Sequence, residues 1–266
     1  MRIGSAHHLT FGGLLTRENT QSISFGTGFD IHQARNNYEA LAWQWAGNFL
    51  VRFAIKDGLA EADLAAALPE IPGDGTELIF KVRPDAKFQN KAPVNGRLMT
   101  ADDVVFSLNR ARTPNNPLFI HASLLNPIDK IEAPDAKTIK FTLKAPNATF
   151  IVNGAASDQG LWFIPVETIN NDQAKKDPVG TGPWAFKSYT TGVEMLWERH
   201  EKYHDSPRPY FSKIQASMNK DPQRIMAALQ SGDYDFSSVL ASQIDDVHQV
   251  DSRPLKKMVA PARPLF

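Results

Sequence analysis

A turn rich in glycine and proline, Asp177-Pro-Val-Gly-Thr-Gly-Pro-Trp184, places the tightest constraint on how this chain can fold. Proline fixes the backbone angle φ and glycine reaches conformations that other residues avoid, so the segment predicts one defined turn. The alternating strand pattern of Trp184–Tyr189 follows at once. A phosphate-binding loop is excluded, because no Lys-Ser or Lys-Thr pair follows Gly182 and a strand stands where a helix is required. The turn therefore joins two structural units or brings main-chain amides close to a ligand.

Composition narrows the class of protein. The 266 residues suffice for one large or two smaller domains, and the 29 basic and 29 acidic residues give a net charge of zero. This balance gives no indication of a nucleic-acid or membrane-surface partner. The chain has no cysteine, which excludes disulfides and thiolate chemistry. Residues 1–10 lack the apolar segment of a signal peptide, so the cellular compartment stays open at this point.

Hydrophobic periodicity places the secondary structure. The stripe of Leu41, Trp45 and Phe49 predicts an amphipathic helix from Tyr38 to Phe49. Thr100 and Asp103 form a capping box that begins another helix, and a proline after Asp221 begins a third. Period-two alternation predicts strands at 22–26, 78–82, 128–133, 138–143, 184–189, 193–199 and 214–218.

Five segments in one order carry a family resemblance. Together they resemble the extracellular solute-binding proteins of family 5, which serve dipeptide, oligopeptide and nickel ABC importers. The loop from Phe88 to Arg97 is longer than the family's pattern and altered. The five matching segments are LIFKVR at 78–83, TADDVVFS at 100–107, VGTGPW at 179–184, ERHEKY at 198–203 and RIMAALQSGDYD at 224–235.

The resemblance implies an α/β fold, the first lobe of a type II periplasmic-binding-protein-like structure with an inserted α+β subdomain. Residues 22–42 and 177–250 would form the core sheet, and residues 43–176 the inserted subdomain. The ends, 1–21 and 251–266, are expected to be poorly ordered. The second lobe is expected to be absent, because the match covers only the first half of such a protein, so no ligand-anchoring acidic residue can be transferred.

The function implied by the resemblance is capture of a small solute, with a peptide favoured, in a cleft between two lobes that closes about a hinge. The expected partners are that ligand and the membrane subunits of an ABC importer, with a periplasmic or extracellular, membrane-associated location. No catalytic residue, metal or cofactor is predicted, and the chain is not expected to be an enzyme. With one lobe, it is expected to bind solute weakly or not at all.

Candidate cleft residues come from loops and from the turn. Aromatic side chains at loop–strand junctions and polar main-chain groups are what a small-solute cleft requires. The turn has a competing role, which is to orient the strand that begins at Trp184. The predicted cleft residues are Phe29, Asp30, Trp162, Thr181, Gly182 and Trp184.

Two alternatives remain open. His200, Glu201 and His204 match H-E-x-x-H, the pattern of zinc hydrolases, in which a helix places both imidazoles on one face. The prolines of the following segment, Asp205–Pro209, disfavour such a helix, and no third ligand is evident, so a polar strand-to-loop connection is favoured. The other alternative is a truncated interaction module that binds another protein through an exposed face.

Overall fold

The computed structural model describes residues 8–12, 28–33, 42–54, 57–113, 122–151, 161–170, 172–218 and 221–237. Within these ranges, no helix combines the length and the apolar character that a membrane crossing requires. The strands and helices, in chain order, are β1 His8–Gly12, α1 Trp43–Ala46, β2 Val51–Phe53, β3 Ala60–Ala62, β4 Glu77–Lys81, α2 Ala101–Ala111, β5 Ile128–Asp135, β6 Thr138–Leu143, α3 Val166–Ile169, β7 Trp184–Thr190, β8 Glu194–Arg199, β9 Lys213–Ser217, α4 Pro222–Ser231 and β10 Phe236–Ser237.

The larger sheet has five strands in the order β10-β1-β9-β8-β7. Strand β1 runs parallel to β9 and β10, whereas β8 runs antiparallel to β7 and β9. The carboxyl ends of the parallel strands therefore lie at the same edge as the turn between β7 and β8. Open α/β sheets usually bind ligands at the edge where parallel strands end.

Strand β1 lies within residues 1–21, for which poor order stays a prediction. Residues 8–12 pair with strands more than 200 positions away, Leu9 with Ile214 and Phe11 with Phe236. Such pairing depends on distant partners, and a short local pattern gives little signal of it. The strand predicted at 22–26 lies outside the described residues.

The smaller sheet has three strands in the order β4-β6-β5. The predicted hairpin is confirmed, since β5 and β6 pair antiparallel with Ile131 opposite Phe141. Helix α2 packs on this sheet through the buried side chains of Val104 and Leu108. Its first turn is capped as predicted, because the Thr100 N–H donates a hydrogen bond of 2.9 Å to the Asp103 carboxylate.

Two hydrophobic clusters form the core. One contains the apolar face of the three-stranded sheet together with α2. The other covers the five-stranded sheet and includes Trp43 of α1 and Trp162. These two tryptophans lie within the range predicted for the inserted subdomain, 43–176, but they belong to the same hydrophobic cluster as Trp197 of the larger sheet. The division of the chain at these boundaries stays a prediction.

Helix α1 is shorter than predicted. It ends at Ala46 rather than at Phe49, because Gly47 is extended, with φ −117° and ψ 169°. An added Cβ at Gly47 would lie 2.3 Å from Cδ1 of Trp162. The chain therefore leaves the helix where the indole ring packs directly on the glycine backbone. The part of the predicted helix before residue 42 lies outside the described residues.

Candidate functional site

The glycine-rich turn packs backbone against backbone on the end of α1. The Gly182 N–H donates a hydrogen bond of 2.7 Å to the carbonyl oxygen of Ala46. A Cβ at Gly180 would lie 2.2 Å from that same oxygen, so close approach requires glycine here. The Thr181 hydroxyl is also occupied, since it donates to Oδ1 of Asn48 at 3.3 Å. The predicted cleft residues Thr181 and Gly182 thus bind other parts of the chain and hold the turn in place.

The two predicted cleft tryptophans are buried. Trp162 is 0% exposed and Trp184 is 7% exposed. The ring of Phe49 lies 5.2 Å from the ring of Trp162 on one side, and Gly47 contacts it as described above. Trp162 therefore lies in the core in this structure, and a place in a cleft wall would require its side chain to be uncovered.

Phe29 and Asp30 are buried as well, in a segment that begins at Gly28. The Phe29 carbonyl accepts a hydrogen bond of 2.6 Å from Nε1 of Trp43. Asp30 forms a two-point ion pair with Arg110 of α2, at 2.8 and 2.6 Å. Because the Asp30 side chain is 2% exposed, this pair ties the segment to the helix rather than facing a ligand.

His32 gives the same segment a pH dependence. Burial, and then the nearby Arg110 cation, lower the pKa of His32 from 6.5 to about 4. Below pH 6.5 the unfolded chain gains a proton that the folded chain does not bind, so stability should fall with pH until about pH 4. The full loss is about 3 kcal/mol. We expect the stability difference between the wild type and His32→Gln to shrink by about this amount between pH 7.5 and pH 4, as measured by urea unfolding.

The control in that experiment is the comparison of His32→Gln with the wild type at each pH. The carboxylates titrate in both proteins and their contribution cancels in the difference. A difference in unfolding free energy that stays constant across the pH range would contradict the burial of a neutral imidazole at this position.

Two cavities border these segments. One of about 350 Å³ has Phe29 in its wall and lies beside Tyr189 and Thr191, near the edge where the parallel strands end. The other, of about 640 Å³, lies between the loop that contains Lys91 and the facing ends of β7 and β8, and His200 is in its wall. Of the predicted cleft residues, Phe29 therefore borders open space.

The stretch from Trp45 to Phe49 contains features that the sequence interpretation missed. Trp45 and Phe49 are partly exposed aromatic residues at the margin of the larger cluster. Between them, the Gly47 carbonyl and the Asn48 N–H form no hydrogen bond with any other residue that the structure describes. The aromatic spacing was visible in the sequence, but it was interpreted as the stripe of an amphipathic helix that continues to Phe49.

A buried polar cluster holds the Asn48 side chain. Its Nδ2 donates hydrogen bonds of 3.0 Å to Oδ2 of Asp63 and to the Tyr203 hydroxyl, and its Oδ1 accepts from Thr181. Burial raises the pKa of Tyr203 to about 12, so the phenol stays neutral and its oxygen remains an acceptor. The Asp63 carboxylate also accepts a hydrogen bond of 3.2 Å from Nε2 of His204. These contacts fix Asn48 from three sides.

The geometry of the H-E-x-x-H motif does not suit zinc catalysis. Residues 200–204 form a turn rather than a helix. Nδ1 of His200 donates to the Gly182 carbonyl at 3.1 Å, whereas Nε2 of His204 donates to Asp63, so the two imidazoles serve different partners. Burial lowers the pKa of His200. In the part of the chain that the structure describes, no three His, Cys, Asp or Glu side chains are placed to hold a metal ion.

Comparison with known proteins identifies the family. The chain matches the model of the bacterial extracellular solute-binding proteins, family 5 Middle, over residues 60–264, and it belongs to this family. Members of this family are solute-binding proteins rather than enzymes, and homologous proteins work with ABC transporters. The resemblance stated from the five sequence segments is thereby confirmed.

Individual relatives bind different solutes. The chain is 29% identical to Heme-binding protein A of Haemophilus influenzae, across 78% of this chain and 40% of that protein. It is 25% identical to Di/tripeptide-binding protein 4 of Pseudomonas aeruginosa, across 70% of this chain and 37% of that protein. Among solved structures it resembles the periplasmic binding protein AgaA of A. tumefacien R10 in complex with agropinic acid, with a TM-score of 0.76 and 26% identity, covering 91% of this chain and 46% of AgaA.

The match covers only part of the length of these relatives. The chain spans about 40% of the length of the curated relatives it matches. The α/β fold is that of the type II periplasmic binding proteins, in agreement with the sequence expectation at this level.

Proposed function

We propose that the chain forms one wall of a solute cleft and that the solute is a short peptide, delivered to the membrane subunits of an ABC importer. The family supports solute binding, and relatives named for dipeptides, tripeptides and oligopeptides support the peptide. A periplasmic or extracellular location is part of the same proposal, since the family is one of extracellular proteins.

The stretch Trp45–Phe49 carries the proposal. Gly47 has the extended conformation of a β-strand, and the peptide unit between Gly47 and Asn48 has no partner among the described residues for its carbonyl or its N–H. These two groups point in opposite directions, so a solute on one side can bond to one of them. An extended peptide binds by adding main-chain hydrogen bonds to such groups, while neighbouring pockets receive its side chains. Trp45 and Phe49 supply partly exposed aromatic surface on both sides, which favours apolar peptide side chains.

Heteronuclear NMR can test this function on the chain itself. We expect tripeptides at millimolar concentration to shift the amide resonances of residues 45–49, with a Kd in the millimolar range because one wall supplies only part of a cleft. Phe49→Ala should weaken the interaction by about tenfold through the loss of ring contact.

Phe53→Ala is the matched control, because that ring is 42% exposed on β2, away from the proposed contact. It should leave the tripeptide affinity unchanged. Absence of any shift with tripeptides would refute peptide binding by this stretch, and micromolar affinity would refute the proposal that the chain forms only one wall.

A further inference from the structure

Gln89 lies at the point where α1, the glycine-rich turn and β7 meet. Its side chain is 0% exposed. Its Nε2 donates its two hydrogens among three carbonyl oxygens, which lie at 2.7 Å (Trp184), 3.1 Å (Ala46) and 3.3 Å (Gly182). Its Oε1 accepts from the Gly180 N–H at 3.1 Å. One carboxamide thus joins main-chain groups of two separate segments, Ala46 at the end of α1 and residues 180–184 of the glycine-rich turn.

The partners define the orientation of this carboxamide. Three carbonyl oxygens can only accept, so the nitrogen must face them and the oxygen must face the Gly180 N–H. The Gln89 main chain adds a further bond, since its N–H donates to the Gly180 carbonyl at 2.9 Å. An acidic side chain of the same shape could not replace this arrangement, because it has no hydrogen to donate at neutral pH.

The bond to Ala46 connects Gln89 with the stretch proposed to bind solute. The Ala46 carbonyl accepts from Nε2 of Gln89 and from the Gly182 N–H, and the next residue is the extended Gly47. The Ala46 carbonyl and the Gly47 N–H belong to one peptide unit, and the Gly47 N–H donates to the Trp43 carbonyl, so both ends of this unit are held. The Gly47 carbonyl lies in the next peptide unit, and the extended φ and ψ of Gly47 set its direction from the fixed unit. Gln89 therefore influences the position of the proposed binding groups through Ala46, and it is not itself one of those groups.

We propose that Gln89 is a positioning residue that fixes the main chain of residues 46–49 in the conformation that receives the solute. Its role in binding rests on the proposed function, whereas its role in fixing the segment does not. The residue lies in the loop Phe88–Arg97, which differs from the family's usual sequence, so local pattern alone gave no indication of it.

Hydrogen exchange measured by mass spectrometry tests the positioning role. The variants are Gln89→Glu, which removes both donors at constant shape, and Gln89→Asn, which is shorter and cannot reach all of its partners. The matched control is Gln223→Glu, at an exposed position in α4. We expect exchange in peptides covering residues 43–49 and 179–184 to rise by about tenfold or more, while peptides from β4, β5 and β6 keep the wild-type rate.

Tripeptide binding by NMR is the second readout, and we expect about tenfold weaker affinity in Gln89→Asn. Unchanged exchange at residues 43–49 would overturn the inference, and so would a uniform rise along the chain, which indicates general destabilisation. Normal tripeptide affinity in Gln89→Asn would overturn the role in binding. If the wild type binds no tripeptide, the proposed function fails, while the exchange result still decides whether Gln89 fixes this segment.

Discussion

Gly180→Ala is expected to lower the free energy of unfolding by at least about 3 kcal/mol, because the added methyl group has no space. Its Cβ would lie 2.2 Å from the Ala46 carbonyl oxygen and 2.9 Å from the carbonyl carbon, both of them main-chain atoms. Relief would require the turn and α1 to move apart, which would also strain the hydrogen bonds between Gly180 and Gln89. Urea unfolding gives the free-energy difference directly.

Gly192→Ala is the control for this substitution. Gly192 has φ of +71° and no atom within 4 Å of an added Cβ, so only the backbone conformation should cost free energy, about 1 kcal/mol. Equal destabilisation by the two substitutions would show that the turn relaxes easily. Close packing against Ala46 would then not explain why position 180 is glycine.

Arg110→Leu is expected to cost about 3–5 kcal/mol, because it leaves the Asp30 carboxylate buried without its counter-charge. Asp30 is 2% exposed and receives both guanidinium hydrogen bonds of Arg110. The measurement is again urea unfolding at neutral pH, where the carboxylate must either be buried as a charge or take up a proton.

A double variant separates the buried charge from the lost packing. Asp30→Asn combined with Arg110→Leu should recover most of the stability, because no charge is then buried and Oδ1 can still accept from the His32 N–H. Arg208→Leu removes a cation that is 50% exposed beside Asp205 and should change stability by less than about 1 kcal/mol. Failure of the double variant to recover stability would show that the guanidinium contributes through packing instead.

Local sequence was enough to predict much of the secondary structure. Strands β4 to β9 lie at or near their predicted positions, and α2 begins at the capping residue Thr100. These elements carry the alternation and capping signals that depend on residues a few positions apart. The same segments supplied the family resemblance, which the family model confirms.

The candidate site was less predictable, because its features depend on contacts between distant residues. The cleft role of Trp162 stays a prediction, and no sequence pattern indicated that its ring would pack against the extended Gly47 with 0% exposure. Trp45 and Phe49 were assigned to a helix that ends at Ala46. The buried carboxamide of Gln89 bonds to Gly180, which lies 91 positions later in the sequence. A pattern of a few neighbouring residues cannot predict a contact over that separation.

The sequence by itself determined a defined turn at Asp177–Trp184, the strands that follow it and the family to which the chain belongs. Proline, glycine and period-two alternation act over a few residues, so their consequences can be derived without coordinates. Only the tertiary structure decided that Gly180 and Gly182 lie against Ala46, and that the Gly47 carbonyl and the Asn48 N–H lack partners among the described residues. Close packing between segments far apart in the chain decides which atoms meet, and that information appears only when the chain is folded.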